Sequence, residues 1–600
     1  ERRLRDTEGV TVLVYDQACA AELRRERKRG RADDPDKRVF IHEGVCEGCG
    51  DCNVQSNCIS VEPLETELGR KRTIDQSSCN KDFSCLGGYC PSFVTLRGAT
   101  PRRSTPVGMG GAGGSVGSGA APDDLPDAPV PSADEPYNVL IGGIGGSGVL
   151  TIGALLGMGA HVEGKSVSVL NESGMAQKNG AVQSHVRIAD EPGLQLSSRI
   201  AAGQADLVIG ADIVVTASDG PVACMAAGRT RAVVSDDVRP TVAFSAHADL
   251  DLSSGRMAKR IRRATGDQLD IVSARAAALA LMGDAIYTNL LLLGFAAQRG
   301  LVPVSVAALE RAIEINGVGV DANKDALRWG RLLAHDPARL DAARGLGPAE
   351  TALAGPVTVE ELIADRADRL AAYQDRAYAA RYRAAVRRVV TAEQERTPGL
   401  DGLTDAVARN LFKLMAYKDE YEVARLYADP EFAARLEREF EGDYRISVNL
   451  APQMLNRRDP RTGRARKWEV PGSLALPAFR VLARARRVRG TRLDPFGRTA
   501  HRQAERTRIE RYEALLVELV AALGPDTHAL AVQLASLPDT IRGYDTVKDA
   551  SAAVAEEKEA ELLEQLRALS DRTTPARPGA PAGARPASGS GNHRRRGAGP

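Results

Sequence analysis

The hydrophobic and polar positions change rhythm along the chain, and each rhythm predicts a different kind of element. "GVTVLVYDQ" (9–17) is a continuous apolar run and predicts a buried strand; "AAELRRERKRG" (20–30) predicts a charged helix closed by Gly30. Between 137 and 335, short apolar runs alternate with longer helical patterns. "YNVLIGG" (137–143), "SVSVLNESG" (166–174), "ADLVIGAD" (205–212) and "RAVVSDD" (231–237) read as strands, and "GVLTIGALLGMGAHVEG" and "GDAIYTNLLLLGFAAQRGLV" (283–302) as helices. From 358 onward the period lengthens. "TVEELIADRADRLAAYQDRAYAARYRAAVRRVV" (358–390) and "LTDAVARNLFKLMAYKDEYEVARLY" (403–427) space apolar residues as amphipathic helices do. Residues 99–136 and 576–600 have no rhythm; rich in Gly, Pro, Ala and Ser, they read as a disordered linker and a disordered tail. The pattern predicts an α/β protein: a Rossmann-like domain (137–335), a small cysteine-rich module before it (41–98) and a mainly helical domain after it (336–575).

Composition narrows the function classes. With 43% hydrophobic and 26% charged residues among 600, the chain is an ordinary soluble globular one. A net charge of +2 sets up no global field that would draw it to nucleic acid or a membrane surface. The longest apolar stretch, "NLLLLGFAA" from Asn289, is too short to span a bilayer. No secretion signal opens the sequence, and a cytoplasmic location is expected. The first residue is not methionine and the opening segment begins mid-pattern, so the chain is expected to be the rear part of a longer protein.

Seven of the nine cysteines lie between Cys46 and Cys90. A disulfide framework belongs to small secreted chains, which leaves zinc and iron–sulfur. Cys46-x2-Cys49-x2-Cys52 places three thiolates on one tight loop, and "CNKDFSCLGGYCP" ends in Cys90-Pro91, where a ferredoxin places the cysteine that crosses over to complete the other set. Cys46, Cys49, Cys52 and Cys90 are therefore expected to hold one 4Fe–4S cluster in a ferredoxin-like module. Zinc prefers paired C-x2-C units separated by a longer loop. Cys58, Cys79 and Cys85 remain, and Cys79-x2-Asp82-x2-Cys85 has ferredoxin spacing with a carboxylate, a harder donor, in the middle. They form a second four-iron or three-iron cluster in one reading and are structural cysteines in the other. Gly48, Gly50, Gly87 and Gly88 suit a backbone wrapped closely around inorganic sulfide.

Gly143-x-Gly145-x-x-Gly148 sits between a predicted strand and a predicted helix, the setting of a phosphate-binding dinucleotide turn, with Glu172 placed for a ribose. The opposing reading is that these glycines serve tight strand–helix packing. Gln177, Lys178, Asn179, Ser184, His185 and Arg187 crowd the next stretch and suggest a site for an anionic group; a lone His185 on a strand is more often structural. A nicotinamide-binding or purely structural α/β protein with a zinc-holding cysteine module is the alternative to an electron carrier.

"VCEGCGDC…SNC…GRKRTIDQSSCNKDFSCLGGYCPSFVT" followed by "GGIGGSGVLT…GMAQKNGAVQSHVRI" resembles the rear part of the fused indolepyruvate ferredoxin oxidoreductases, within the 2-oxoacid:ferredoxin oxidoreductase class. "GVTVLVYDQACAAELRR" resembles the end of that family's thiamine-diphosphate domain (1–40), and 137–335 its gamma domain. The resemblance implies oxidative decarboxylation of an aryl 2-oxoacid such as indolepyruvate with coenzyme A, giving the aryl-acetyl-CoA, with electrons passing to ferredoxin. Thiamine diphosphate and Mg are implied for a front region whose G-D-G motif these residues lack, and a homo-oligomer is expected. Nicotinamide is not a cofactor of that family, so the resemblance turns Gly143, Gly145 and Gly148 toward a phosphate of coenzyme A or toward packing alone. Residues 456–511 carry 17 Lys/Arg against 5 Asp/Glu, a docking surface for an acidic ferredoxin or a solvated, internally paired face; without a nucleic-acid motif they do not predict RNA or DNA binding.

Overall fold

The computed structural model describes the chain outside residues 1, 15, 17, 103–124, 174–179, 242, 245–246, 339–355, 357, 452–466 and 574–600. No helix among the described residues is long and apolar enough to cross a membrane.

Tyr137–Ile144, buried almost throughout, sits inside a six-stranded sheet. The order is Leu269–Val272, Arg231–Ser235, Leu207–Gly210, Tyr137–Ile144, Ala181–Ala189, Ser166–Ser173. The first four run parallel, and Ala181–Ala189 is antiparallel to both its neighbours. Parallel strands covered on both faces need apolar side chains on both, which is why "LVIG" and "AVVS" are unbroken runs. The sequence predicts a simple strand–helix–strand unit from Tyr137 onward. The structure splits it: after helix Val149–Val162 the chain returns in Ser166–Ser173, but Ala181–Ala189 is inserted between that strand and Tyr137–Ile144. Glu172 therefore lies two strand spacings from the glycine turn, about 10 Å, and pairs with Arg199 at 3.3 Å.

The cysteine module contributes two strands to a second sheet, all antiparallel, ordered Arg38–Ile41, Phe93–Arg97, Arg445–Leu450, Trp468–Pro471. Half of this sheet comes from the far end of the chain. Its inner face, with Phe40, Val94, Leu96 and Val448, packs on Tyr427, Phe432 and Phe440 from the C-terminal domain. A separate hairpin, Val61–Thr66 with Gly69–Ile74, completes the module.

The region from 359 is helical with a core of Leu362, Leu370, Tyr382, Val386, Leu411, Leu516 and Leu534. The two long helical patterns each break once. Val359–Tyr373 stops before Asp375, whose carboxylate accepts the Tyr378 N–H at 2.8 Å, and Leu403–Met415 stops before Asp419, which accepts the Glu422 N–H at 2.8 Å. A side-chain acceptor facing free helical N–H groups starts a new helix regardless of the apolar period. The strand predicted over 9–17 is not present among its described residues: Val10, Val12, Leu13 and Val14 are exposed at 97, 74, 66 and 81%. A strand needs a neighbour for its backbone groups, and no described strand of this chain lies beside it.

Candidate metal centre

Strand pairing assembles the first cysteine group. Ile41 pairs with Phe93, so the loop leaving Arg38–Ile41 and the loop entering Phe93–Arg97 begin side by side. The first carries Cys46, Cys49 and Cys52, the last of these in the short helix Asp51–Ser56; the second carries Cys90. All four thiols line one small void, together with Asp51, Arg72, Gly88 and Ser92. Cys58, Cys79 and Cys85 gather separately: Cys58 lies close enough to raise the thiol pKa of Cys79 and Cys85, and Asp82 acts on both of these as well. The grouping expected from spacing is the grouping in space. Asp82 itself is exposed and its Oδ1 accepts from Ser84 N (3.2 Å) and Ser84 Oγ (2.9 Å).

Both groups are placed for anionic sulfur. Backbone N–H groups of Gly48 and Ser92 donate to Cys46 Sγ and Cys90 Sγ at 3.4 Å, and that of Lys81 donates to Cys79 Sγ at 3.5 Å. Left without a cation the sites resist ionisation. Burial, then neighbouring thiols, pushes Cys49 up to about 12, Cys85 to about 12 and Cys90 to about 11, and Cys52 well up. Crowded, buried thiols of this kind release their protons to a metal, which restores the missing positive charge. Of the glycines, Gly88 is required by close approach: a Cβ there would stand 2.8 Å from Cys52 Cα.

Several supporting residues were not anticipated from sequence. Arg72, fully buried on Gly69–Ile74, acts on Cys52, Cys46 and Cys49, donates to Asn53 Oδ1 at 3.1 Å and lies 4.4 Å over the Phe244 ring. Alternation along "GRKRTI" puts Arg70 and Arg72 on one face and Lys71 on the other, a signal visible in the sequence once the strand is assigned. Lys467 had no such signal. It arrives from the opposite end of the chain, donates to Leu86 O at 2.8 Å and to Gly88 O, covers Phe93 at 4.8 Å, and acts on Cys90, Cys52 and Cys85, touching both groups. The C-terminal domain also supplies Lys418 (to Cys46 O, 3.2 Å, and paired with Glu47), Tyr427 (to Pro91 O, 2.7 Å) and Tyr544 (to Val45 O, 2.6 Å). These bonds tie the loop to the C-terminal domain. From the sheet's side, the carbonyl of Leu250 accepts from Arg70 at 2.7 Å.

The glycine turn is arranged differently. A Cβ on Gly143 would stand 2.7 Å from Ala211 Cβ and 2.8 Å from Val149 Cγ2, so that glycine is required by packing. Ile144 N donates to Asp212 Oδ2 (2.8 Å), Gly145 N to Gly180 O (2.9 Å) and Ser147 N to Ile144 O (3.2 Å), and Gly148, at φ +95°, caps the helix. Three N–H groups of the turn are thus already bonded within the protein. Gln177 and Lys178 lie outside the described residues. His185 is buried, its Nδ1 accepting from Ile200 N at 3.3 Å, in keeping with a structural role.

Residues 138–333 match the pyruvate ferredoxin/flavodoxin oxidoreductase family, and residues 359–561 match a family of unknown function, DUF6537. The oxidoreductase match covers about a third of the chain, so it is the segment 138–333 that is similar to that family. The curated relatives it matches are indolepyruvate oxidoreductase subunits IorB. That of Archaeoglobus fulgidus is 27% identical over 198 residues, 32% of this chain and 92% of the relative. That of Pyrococcus horikoshii is 37% identical over 73 residues, 12% of this chain, and the match spans only 35% of the relative's length. Among solved structures, pyruvate oxidoreductase subunit PORC of Thermotoga maritima is 24% identical, covered over 33% of this chain and 96% of its own, with a TM-score of 0.25. The gamma subunit of a keto/oxoacid ferredoxin oxidoreductase from Geobacter sulfurreducens is 22% identical over 33% and 98%, with a TM-score of 0.24.

Proposed function

We propose that this chain is the electron-exit part of an oxidoreductase that decarboxylates indolepyruvate, or a related aryl 2-oxoacid, with coenzyme A and passes the electrons to ferredoxin. The convergence of Cys46, Cys49, Cys52 and Cys90 on one void, beside a second group of Cys58, Cys79, Cys85 and Asp82, carries the reading. The domain match and the IorB relatives support the substrate class. In this reading the first four cysteines hold a 4Fe–4S cluster, and the other three with Asp82 hold the second. Such clusters, when bound, supply one-electron transfer at low potential.

The chain's own residues do the rest. The N–H groups of Gly48, Ser92 and Lys81 hold negative sulfur in place. Arg72 and Lys467 offset its charge without offering a ligand atom, since a guanidinium and an ammonium only donate. Lys418, Tyr427 and Tyr544 tie the loop to the C-terminal domain, and the Leu250 carbonyl ties the hairpin to the sheet domain, which excludes water. The decarboxylation chemistry that thiamine diphosphate and Mg provide is assigned to none of these residues.

Zinc is the competing guest. Four sulfurs around one zinc stand about 3.8 Å apart, from a Zn–S bond of about 2.3 Å. Among the described residues, the set of three or more potential ligand atoms within 4.8 Å of one another is His501, Asp545 and Asp549, not a cysteine group. The wider thiol spacing favours the larger iron–sulfur guest. The test is metal and sulfide analysis of anaerobically purified protein, with electron paramagnetic resonance after dithionite reduction. Iron and acid-labile sulfide together, at about four or more of each per chain, are expected; stoichiometric zinc without sulfide overturns the reading. Ferredoxin reduction by the parent enzyme with indolepyruvate, pyruvate or 2-oxoglutarate then tests the aryl preference.

A further inference from the structure

Between the cysteine module's hairpin and the helical C-terminal domain lies a cavity of about 670 Å³ that the cluster reading does not use. One wall is the strand Gly69–Ile74; the others are helices Val359–Tyr373, Leu403–Met415 and Glu420–Tyr427 and the segment 532–542. Nine cationic side chains line it against five carboxylates. The carboxylates are already committed to arginines and to Lys418: Glu67 to Arg366, Asp405 to Arg409, Glu422 to Arg425, Asp539 to Arg542, and Glu47 to Lys418. Lys413 has only a share of Asp539, at 3.3 Å, besides that residue's carbonyl.

Lys71 has no direct partner: the counter-charge acting on it, Glu47, is already paired with Lys418. It is 9% exposed, its ammonium makes no hydrogen bond or ion pair among the described residues, and strand alternation points it away from Arg72, into the cavity. An uncompensated ammonium buried this far costs several kcal/mol unless an anion meets it. The cavity is also partly apolar, with Phe412, Leu426, Ala406 and Val532 in its wall. It is far larger than a bare inorganic anion needs.

From this juxtaposition we infer that the cavity is a binding site for an organic anion, its carboxylate or phosphate head on Lys71 and Lys413 and its apolar body against Phe412 and Leu426. Apart from Lys71 and its hairpin, the lining lies in the region shared with the family of unknown function, and the inference assigns part of that region a role in ligand binding. It stands independently of which metal the cysteines hold. Burial pushes both lysines down to about 8, outweighing Glu47 near both and Asp539 beside Lys413.

The test is calorimetric titration of the full chain with phenylacetate, phenyl phosphate, inorganic pyrophosphate and the neutral 2-phenylethanol. Saturable binding of phenylacetate or phenyl phosphate is expected, and the tighter of the two identifies the head group. Lys71→Gln is expected to weaken that binding by about tenfold or more, the loss of one charged hydrogen bond, with an unchanged circular dichroism spectrum. Lys413→Gln is expected to do the same, and serves if the first variant does not fold. Undiminished affinity in a folded lysine variant, equal binding of 2-phenylethanol, preference for pyrophosphate, or no binding of either aryl anion would each overturn the inference.

Discussion

Arg239 Nη1 stands 2.8 Å from Glu62 Oε1, tying the six-stranded sheet domain to the cysteine hairpin. Arg275 joins the same contact, reaching Asp75 at 3.0 Å and Glu62 at 3.4 Å, and Asp237 completes it at 2.8 Å from Arg239. Three carboxylates thus share two guanidiniums in a largely buried place. Burial, with Asp75 and Asp237 nearby, pushes Glu62 up to about 7 despite the two arginines. A raised carboxyl pKa means that the folded state holds a proton the unfolded chain has lost. This contribution is fully present below about pH 4.5 and disappears as pH rises through about 7. Glu62→Gln is therefore expected to raise stability at pH 8 by about 1–2 kcal/mol and to change little at pH 4.5. Thermal melts of both proteins at the two pH values check it; a lower melting temperature for the variant at pH 8 would contradict it.

Cys49→Ala and Cys85→Ala separate the two groups. Each is expected to remove iron and visible absorbance from its own group, leaving the other, because the thiols assemble as two sets. Iron counts per chain and reduced-state spectra distinguish the variants. Identical losses from both would show that the sets are one unit.

Asp82→Cys replaces a hard, exposed oxygen donor with a thiolate at ferredoxin spacing. The variant is expected to show a four-iron spectrum where the parent's second centre is three-iron or readily loses iron on oxidation. The check is electron paramagnetic resonance of the air-exposed and reduced forms, and an unchanged spectrum counts against a ligand role for Asp82.

Lys467→Met removes a cation that acts on cysteines of both groups. Positive charge near a reducible centre favours the reduced state, so both midpoint potentials are expected to fall by tens of millivolts, measured by potentiometric titration. A shift in one alone would limit Lys467 to that centre. Gly88→Ala is expected to be more severe. Its methyl would meet Cys52 Cα at 2.8 Å, so either the helix Asp51–Ser56 moves or the loop does; loss of the first centre's iron before any loss of the helical domain, followed by circular dichroism, is the outcome to look for.

Much of the cysteine grouping was legible because cysteine spacing encodes local loop geometry, and because Cys90, which joins the first three in space, is marked by its proline. Four of the sheet domain's six strands were legible as apolar runs, while Ala181–Ala189 and Leu269–Val272 were not among them. What escaped was long-range placement. The insertion of Ala181–Ala189 between two strands obeys no local rule, and it removes Glu172 from the turn it was expected to serve. Gly143 fits a phosphate motif in sequence, yet Ala211 and Val149 claim its space. The exposed valines near residue 12 show the same limit: apolar periodicity announces that a strand wants burial, not that this chain supplies the neighbour. Lys467 and Lys418 reach the cysteines across more than half the chain, and no window of sequence connects them.

Arg445–Leu450 hydrogen-bonds to Phe93–Arg97, so the cysteine region borrows a strand made about 350 residues later in synthesis. On the ribosome, Phe93–Arg97 keeps an open edge while the whole sheet domain and most of the helices emerge. The thiol loops stay uncovered on that edge through the interval, and the late pair of strands closes it only after residue 471 has emerged. Truncation ahead of residue 445 would leave that edge permanently open, and an aggregating, iron-poor product is what such a fragment should yield.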